Sequence, residues 1–148
     1  MILDPDDHIL LQHFRTPDGW EGWITPGGGL EPDEEPLHAA MRELIEEVGI
    51  RDAVLVGPIW TRRHAFVWVG ELIEQQETFY MVRLEQRVDA AGEMEAAVLA
   101  REGIVGHRWW ELGDLEASGV ELAPRNLVAL VRSLLRDGAP PEPIDAGV

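Results

Sequence analysis

A single pattern of glycine, arginine and glutamate residues constrains this 148-residue chain more strongly than any other feature. The pattern, called the motif below, specifies seven positions by residue identity and two more by aliphatic character. At typical usages of roughly 5–8% per residue type, a chance match is on the order of 10⁻⁹ per start position. The motif therefore predicts a specific site, and it reads Gly28-x5-Glu34-x7-Arg42-Glu43-Leu44-Ile45-Glu46-Glu47-Val48-Gly49-Ile50.

Three glutamates of the motif fall on one predicted helix. Glu46 and Glu47 follow Glu43 by three and four residues, so all three should share the face opposite Leu44 and Val48. Like charges at this spacing destabilise an isolated helix by roughly 0.2–0.5 kcal/mol per pair. Hard divalent cations such as Mg²⁺ or Mn²⁺ would compensate, because they take oxygen ligands and keep positions open for water and phosphate oxygens. Arg-Glu-x-x-Glu-Glu alone is typical of a solvated helix face, whereas the complete motif favours a metal site.

Residues around these glutamates also suit a metal site. Arg42 precedes Glu46 by four residues, so an ion pair between them would hold the Glu46 carboxylate in place. The glycines at 27–29 allow the backbone to approach a metal closely, with either a carbonyl or an N–H turned toward it. We expect Glu34 to fasten this glycine loop to the helix.

The motif helix is predicted over residues 36–48. Asp33 is expected to cap it, Pro36 suits its first turn, and Gly49 suits the position after its end. Apolar residues recur at steps of four, three and four, which predicts one buried stripe. That stripe comprises Leu37, Met41, Leu44 and Val48.

Apolar periodicity outside the motif predicts an α/β domain with two main helices. The second main helix covers residues 124–136, and a short helix covers 114–117. Residues 85–103 are acidic and Ala-rich, which predicts a long loop with a helical turn. Strands are expected at 8–15, 20–25, 54–69, 78–84 and 104–111, the third interrupted by Pro58 and by Arg62-Arg63-His64.

Length and composition predict one domain over residues 1–138 and a Pro/Gly-rich flexible tail over 139–148. The chain has no cysteine, which excludes disulfides, thiol nucleophiles and Cys-ligated zinc. It has no apolar run long enough to span a membrane and no secretory signal at its N-terminus, so a cytoplasmic location is the default expectation. The net charge of −16 argues against a nucleic-acid polymer as partner.

The motif resembles the Nudix box of the Nudix hydrolases, with no mismatch. Similarity is densest over residues 23–50 and looser over 107–112 and 124–127. The resemblance implies an α/β/α sandwich with a mixed sheet, a Mg²⁺ or Mn²⁺ cofactor, a small-molecule nucleotide-type substrate and a homodimer. Asp33 stands where many members have glycine, and the first predicted strand begins so near the N-terminus that an earlier strand should be short.

The resemblance also implies roles for individual residues. Glu43, Glu46 and Glu47 would be metal ligands within a catalytic set that includes Arg42, and Glu43 or a neighbour would orient or deprotonate the attacking water. The Gly27 carbonyl would be a further ligand. Members often recruit another glutamate from a late loop, for which Glu102 is the best candidate; Glu93 and Glu111 are weaker, and a solvated loop acid is an equal alternative for each.

Substrate contacts must come from outside the motif. Arg62 and Arg63, followed by His64, form the densest basic cluster, and Arg15 lies on a predicted strand. These arginines would bind phosphate or ribose, or they would simply balance surface acid.

The resemblance implies hydrolysis of a phosphoanhydride in a nucleoside diphosphate linked to another group. The default substrate is a (deoxy)nucleoside triphosphate, either intact or oxidised, which would give a monophosphate and pyrophosphate. The alternatives are a nucleotide sugar or an ADP-ribose-type compound, although Ala65 stands about where relatives that cleave ADP-ribose carry proline. Two other classes stay open, namely a non-catalytic nucleotide-sensing module and a structural protein that binds divalent metal.

Overall fold

The computed structural model describes residues 1–90, 92 and 94–147. The main helices are Pro36–Glu43 (α1), Ala96–Arg101 (α2), Leu112–Ser118 (α3) and Leu127–Asp137 (α4). The strands are Ile2–Leu3 (β1), Ile9–Arg15 (β2), Glu21–Ile24 (β3), Val56–Trp68 (β4), Glu71–Arg83 (β5), Ile104–Trp110 (β6), Leu122–Ala123 (β7) and Ile144–Asp145 (β8).

The strands form a mixed sheet in the order β7-β3-β2-β1-β5-β4-β8, with β6 along the other edge of β2. Three pairs are parallel, β1 with β5, β3 with β7 and β4 with β8, and the other pairs are antiparallel. Strand β2 is the centre of this arrangement because β1 and β3 share one of its edges and β6 follows the other. A residue near the middle of β2 is therefore enclosed by backbone on both sides.

Two apolar cores lie on opposite faces of the sheet. Alternation along β2 sends Ile9 and Leu11 to one face, where they pack with residues of α3 and α4. It sends Leu10 to the other face, where it packs with Leu44 and Val48 of the motif helix. The layers confirm the α/β/α sandwich with a mixed sheet that the resemblance implies. Within the described residues, no helix combines the length and apolar character needed to cross a bilayer.

The motif helix spans the predicted residues 36–48 but changes geometry on the way. After α1 the chain continues as a π-helical turn over Leu44–Val48, and Gly49 ends it with φ of +80°. Gly49 thus has the left-handed conformation expected of a residue that ends a helix. The expected cap by Asp33 is wrong, since Glu35 precedes the first turn and makes no side-chain cap.

The predicted apolar stripe of this helix is only half correct. Leu44 and Val48 are buried, but Leu37 is 39% exposed and Met41 is 44% exposed. Ala39 and Glu43 are the inward-facing residues of α1. The carboxylate-bearing face of the helix contacts the glycine loop at Gly28, and the first part of the apolar stripe faces solvent.

Several element boundaries also differ from the predictions. Strand β4 runs without a break through Arg62 to His64, because each residue there pairs with β5 in a regular antiparallel ladder. Helix α4 begins three residues later than predicted, at Leu127. The segment predicted as a flexible tail carries β8; Ala146 is fully buried and its N–H donates to the Thr61 carbonyl at 2.7 Å.

Candidate active site

Glu43 is held against the glycine loop. It is 7% exposed, and a Cβ built on Gly28 would overlap its carboxylate. Only glycine leaves room for this approach, as expected from the run of glycines. Burial raises the pKa of Glu43, although the neighbouring Arg42 guanidinium opposes the shift.

Arg42 ties the loop to the helix. Its Nη1 donates to Glu43 Oε1 at 2.7 Å and to Glu46 Oε2 at 3.1 Å, and its Nη2 donates to the Gly29 carbonyl at 2.9 Å. It also grips Glu34 with two bonds, Nε to Oε1 at 3.0 Å and Nη2 to Oε2 at 2.9 Å. The guanidinium is therefore saturated by the motif itself, and it sets the positions of two of the three predicted metal ligands.

Glu34 fastens the loop as the sequence predicts. Besides the paired bonds from Arg42, its carboxylate accepts the N–H of Glu31 at 2.9 Å. These hydrogen bonds, that from Arg42 first, lower the pKa of Glu34 to about 2. Glu34 is thus a permanent anion, and its charge holds Arg42 in place. The Nη1 group of Arg42 is then shared between Glu43 and Glu46.

Glu47 is the most deeply buried acid of the motif, at 2% exposure. Both of its hydrogen bonds end on Oε2, one from the Gln12 side-chain amide and one from the Gly27 N–H at 3.0 Å. Burial, followed by the charge of Glu43, raises its pKa to about 8. The expectation that Glu47 points away from the face of Leu44 and Val48 is wrong: Glu47 follows Leu44 by three residues, so the two are neighbours on the helix, and its carboxylate bonds to Gln12 of the sheet.

Gln12 and His107 complete this end of the site, and neither is part of the motif. They are direct partners in the pairing of β2 with β6, and Gln12 Nε2 lies 3.3 Å from His107 Nε2. Burial lowers the pKa of His107, which favours the neutral ring. One signal in the sequence marks Gln12, namely that this amide directly follows the apolar run Ile9–Leu11, on the same face as Leu10.

Backbone contacts hold the helix from its other end. The Met94 N–H donates to the Glu46 carbonyl at 2.9 Å, and a Cβ built on Gly92 would overlap the backbone at Glu46 and Glu47. The segment before α2 therefore satisfies a carbonyl in the last turn of the helix, where intrahelical partners run out.

Glu102 lies close enough to the motif to affect it electrostatically. It ends α2 and precedes Gly103, whose φ of +87° turns the chain into β6. Its charge adds to the larger effect of burial in raising the pKa values of Glu43 and Glu47. Glu111 has a different position, since its carboxylate caps α3 by accepting the N–H groups of Gly113 and Asp114. Glu93 lies outside the described residues.

Comparison with known proteins shows the family. A model of the NUDIX domain matches residues 1–131. The chain belongs to the Nudix family. Among curated proteins, bovine diphosphoinositol polyphosphate phosphohydrolase 3-beta and human diphosphoinositol polyphosphate phosphohydrolase 2 are each 50% identical to it over 46 residues, or 31% of this chain. The match spans about a quarter of the length of these relatives, 26% and 24%.

Solved structures share the Nudix fold over nearly the whole chain. The Escherichia coli dihydroneopterin triphosphate pyrophosphohydrolase superposes with a TM-score of 0.65 at 16% identity, covering 91% of both chains. A Caenorhabditis elegans Ap4A hydrolase superposes with a TM-score of 0.61 at 17% identity, covering 91% of this chain and 92% of that one. At such low identity these likenesses establish the fold alone.

The three arginines predicted to contact substrate differ in their surroundings. Arg15 is exposed, pairs with Glu21, and donates its backbone N–H to the Gly103 carbonyl at 2.8 Å, beside the Glu102 turn. Arg62 is 7% exposed and donates to the Gly147 carbonyl at 3.2 Å and to Glu77 at 3.0 Å. Arg63 is exposed and donates to Gln76. Among these contacts, only the hydrogen bond from Arg15 to Gly103 lies near the Nudix box.

One acidic cluster lies outside the Nudix box. Among the described residues, three side-chain ligand atoms come within 4.8 Å of one another only at Asp4, Asp6 and His8. Asp4 is fully buried there, and it accepts hydrogen bonds from the N–H groups of Asp6 and His8 and from Arg87. These bonds close the turn between β1 and β2, so the cluster has a structural explanation.

The residues of the Nudix box suit a hard divalent cation. Their side-chain donors are carboxylate oxygens, the ligands that Mg²⁺ and Mn²⁺ prefer. Gly28 leaves the space beside Glu43 free of a Cβ, and Glu47 carries both hydrogen bonds on Oε2, which leaves Oε1 as the oxygen for a ligand bond. The raised pKa values of Glu43 and Glu47 identify a pair of buried acids that a bound cation would stabilise as anions.

Proposed function

We propose that this Nudix protein is a metal-dependent pyrophosphohydrolase that acts on a nucleoside diphosphate linked to another group. The observation that supports it most is the pair of buried carboxylates, Glu43 and Glu47, set against glycine backbone with burial as the main cause of their raised pKa values. A buried ionised carboxylate is costly unless it is paired or bound to a metal. Burial at these two positions therefore favours a site built for a cation.

The chain would hold Mg²⁺ or Mn²⁺ through Glu43, Glu46, Glu47, the Gly27 carbonyl and Glu102. A bound cation would neutralise phosphate oxygens and lower the pKa of a coordinated water. Arg42 orients Glu43 and Glu46 by its hydrogen bonds, and Glu34 orients Arg42. Glu43, or a neighbouring carboxylate, accepts the proton of the attacking water.

The reaction then follows from this positioning. Water oxygen bonds to one phosphorus while the bond from that phosphorus to the bridging oxygen breaks, and the leaving phosphate takes the bond electrons. Such a transfer depends mainly on alignment and charge neutralisation. The products are two phosphate-terminated fragments, which for a nucleoside triphosphate are a monophosphate and pyrophosphate.

The substrate is proposed at a lower level of detail. A (deoxy)nucleoside triphosphate, either intact or oxidised, stays the default, with nucleotide sugars and ADP-ribose-type compounds as alternatives. The names of the relatives add diphosphoinositol polyphosphates, Ap4A and dihydroneopterin triphosphate as compounds to test. Contacts by Arg15, Arg62 and Arg63 remain predictions, as do a homodimer and a cytoplasmic location.

A hydrolysis screen tests the proposal. The purified chain and its Glu47→Gln variant would be assayed against these compounds with Mg²⁺, with Mn²⁺ and with a chelator. We expect metal-stimulated release of phosphate-terminated products by the wild type and a loss of more than about 100-fold in the variant, because partners of metal ligands alone are worth about 10–100-fold.

Three other outcomes would contradict the proposal. Equal turnover by wild type and variant would remove the role of Glu47. Tight binding of a nucleotide without hydrolysis would instead support a nucleotide-sensing module, and metal-raised thermal stability without any nucleotide effect would support a structural metal-binding protein.

A further inference from the structure

We infer that Gln12 is a positioning residue that aims Oε1 of Glu47 at the bound cation. The inference rests on the proposed metal role of Glu47 and extends the site beyond the Nudix box to the centre of the sheet. It starts from the contact between the Gln12 amide nitrogen and Glu47 Oε2, which joins residues 35 positions apart.

The location of Gln12 makes this contact rigid. Gln12 is 1% exposed and lies mid-strand in β2, where it pairs with Ile24 of β3 on one edge and with His107 of β6 on the other. Its side chain shares a face with Leu10, which packs against Leu44 and Val48. The amide therefore projects from rigidly held backbone toward the motif helix. A residue that positions a metal ligand must itself be held in this way.

Neighbouring groups determine the orientation of the Gln12 amide, that is, whether its nitrogen or its oxygen faces Glu47. Its Nε2 faces both Glu47 Oε2 and, at 3.3 Å, His107 Nε2. When Glu47 is ionised, as it would be with a cation bound, a rotated amide would place its oxygen against the carboxylate, where two acceptors would meet without a proton. A neutral His107 ring that carries its proton on Nδ1 would accept the second N–H of the same amide at Nε2, which would keep the first directed at Glu47.

Two donors thus occupy one oxygen of Glu47. Gln12 and the Gly27 N–H both bond to Oε2 from the side of the sheet and the loop. The carboxylate plane is fixed by these bonds, and Oε1 is the oxygen left for a cation. Gln12 acts on the metal only through Glu47, so its removal should change metal affinity more than it changes folding.

Gln12→Met tests this directly, because methionine has nearly the same volume and flexibility but donates no hydrogen bond. Gln75→Met is the matched control: Gln75 is exposed on β5 and also donates to a glutamate, Glu77, at 3.4 Å. Mn²⁺ binding to each purified protein would be measured from the electron paramagnetic resonance signal of free Mn²⁺, without substrate. We expect Gln12→Met to weaken Mn²⁺ binding about 10- to 100-fold and Gln75→Met to leave it unchanged.

Hydrolysis assays and melting curves provide the second readout. For Gln12→Met we expect the Mn²⁺ concentration for half-maximal activity to rise by the same factor, with most of kcat recovered at saturating Mn²⁺ and the Tm in chelator little changed. If Gln12→Met does not fold, Gln12→Asn serves instead, since it keeps the amide but withdraws it by one methylene group, and it should weaken binding in the same direction.

The outcomes separate this inference from the proposed function. A wild type that binds no Mn²⁺ would overturn the metal role of Glu47 and this inference with it. A wild type that binds Mn²⁺, together with a Gln12 variant of equal affinity, would overturn the positioning role alone. A fall in kcat and Tm without any change in Mn²⁺ affinity would also overturn it, because a purely structural role predicts that result.

Discussion

Gly28 and Glu43 are packed so closely that the carboxylate occupies the space where a side chain on Gly28 would begin. Glu43 follows Gly28 by fifteen positions, and the loop between them is closed by Arg42, which bonds to Gly29, Glu34 and Glu43 together. The first glycine of the motif therefore leaves the space that the Glu43 carboxylate occupies.

Gly28→Ala should lower metal-stimulated hydrolysis by about 10–100-fold, because the added methyl group forces Glu43 away from its position beside the loop. Gly29→Ala is the control, since a Cβ at Gly29 would meet nothing within 4 Å and its carbonyl remains available to Arg42. Steady-state assays of both variants, with melting curves, would check this. Equal activity of the two variants would contradict the close packing.

The stability of the metal-free protein should fall as pH rises from about 4.5 toward about 8. Burial, and then the charge of Glu43, raises the pKa of Glu47 to about 8, above the value of about 4.3 expected when unfolded. Between these values the folded state binds more protons than the unfolded state, so the free energy of unfolding decreases with pH. Calorimetry in chelator at pH 5, 6, 7 and 8 measures this.

Glu47→Gln is the control for that pH series, because it keeps the acceptor for Gln12 and Gly27 but cannot ionise. We expect its Tm to change less over the same range and to exceed that of the wild type at pH 8. Parallel profiles for the two proteins would show that Glu47 does not hold the proton. Added Mn²⁺ should raise the wild-type Tm most at the higher pH, where binding no longer displaces a proton.

Arg42→Lys should reduce hydrolysis strongly although it preserves the charge. The guanidinium grips Glu34 with two parallel bonds and reaches Glu43, Glu46 and Gly29 as well, and an ammonium group cannot span these acceptors. We expect a loss of activity larger than about 10-fold and a lower Tm.

Arg132→Lys provides a comparison for the arginine test. Arg132 also holds a carboxylate with two bonds, at 2.9 and 2.7 Å, but its partner Glu116 lies on α3, and both side chains are exposed. Replacement of Arg132 by lysine should leave activity unchanged and should change the Tm very little. Similar losses in both variants would mean that the bidentate geometry at Arg42 has no special role.

Arg62→Met should destabilise the fold. Buried Arg62 joins β4 to the Gly147 carbonyl and to Glu77, and hydrogen bonds of a charged group are worth about 1.5–3 kcal/mol. The Tm should fall by about 3–12 °C. Arg63→Met, at the exposed neighbouring position, should leave Tm unchanged. A raised KM with unchanged Tm in the Arg62 variant would instead support its predicted contact with substrate.

The linear sequence alone was sufficient to predict the layers, the motif helix and the fastening of the glycine loop by Glu34. These features depend on short-range periodicity and on residue spacing within one segment, and such information is local. The uninterrupted course of β4 through Arg62, Arg63 and His64 could not be read in this way, because pairing with β5 overrides the local preference of charged residues. The exposure of Leu37 and Met41 likewise depends on how the helix docks.

The motif by itself determined which residue types are available to bind a cation, because helical spacing fixes the relative positions of Glu43, Glu46 and Glu47. Only the tertiary structure decided their environments. Glu47 bonds to Gln12 of the sheet, and the pairing of β2 with β6 brings Gln12 and His107 together behind it. The reason is that burial, pKa and hydrogen bonding depend on distances between residues far apart in the chain, which spacing along one helix does not contain.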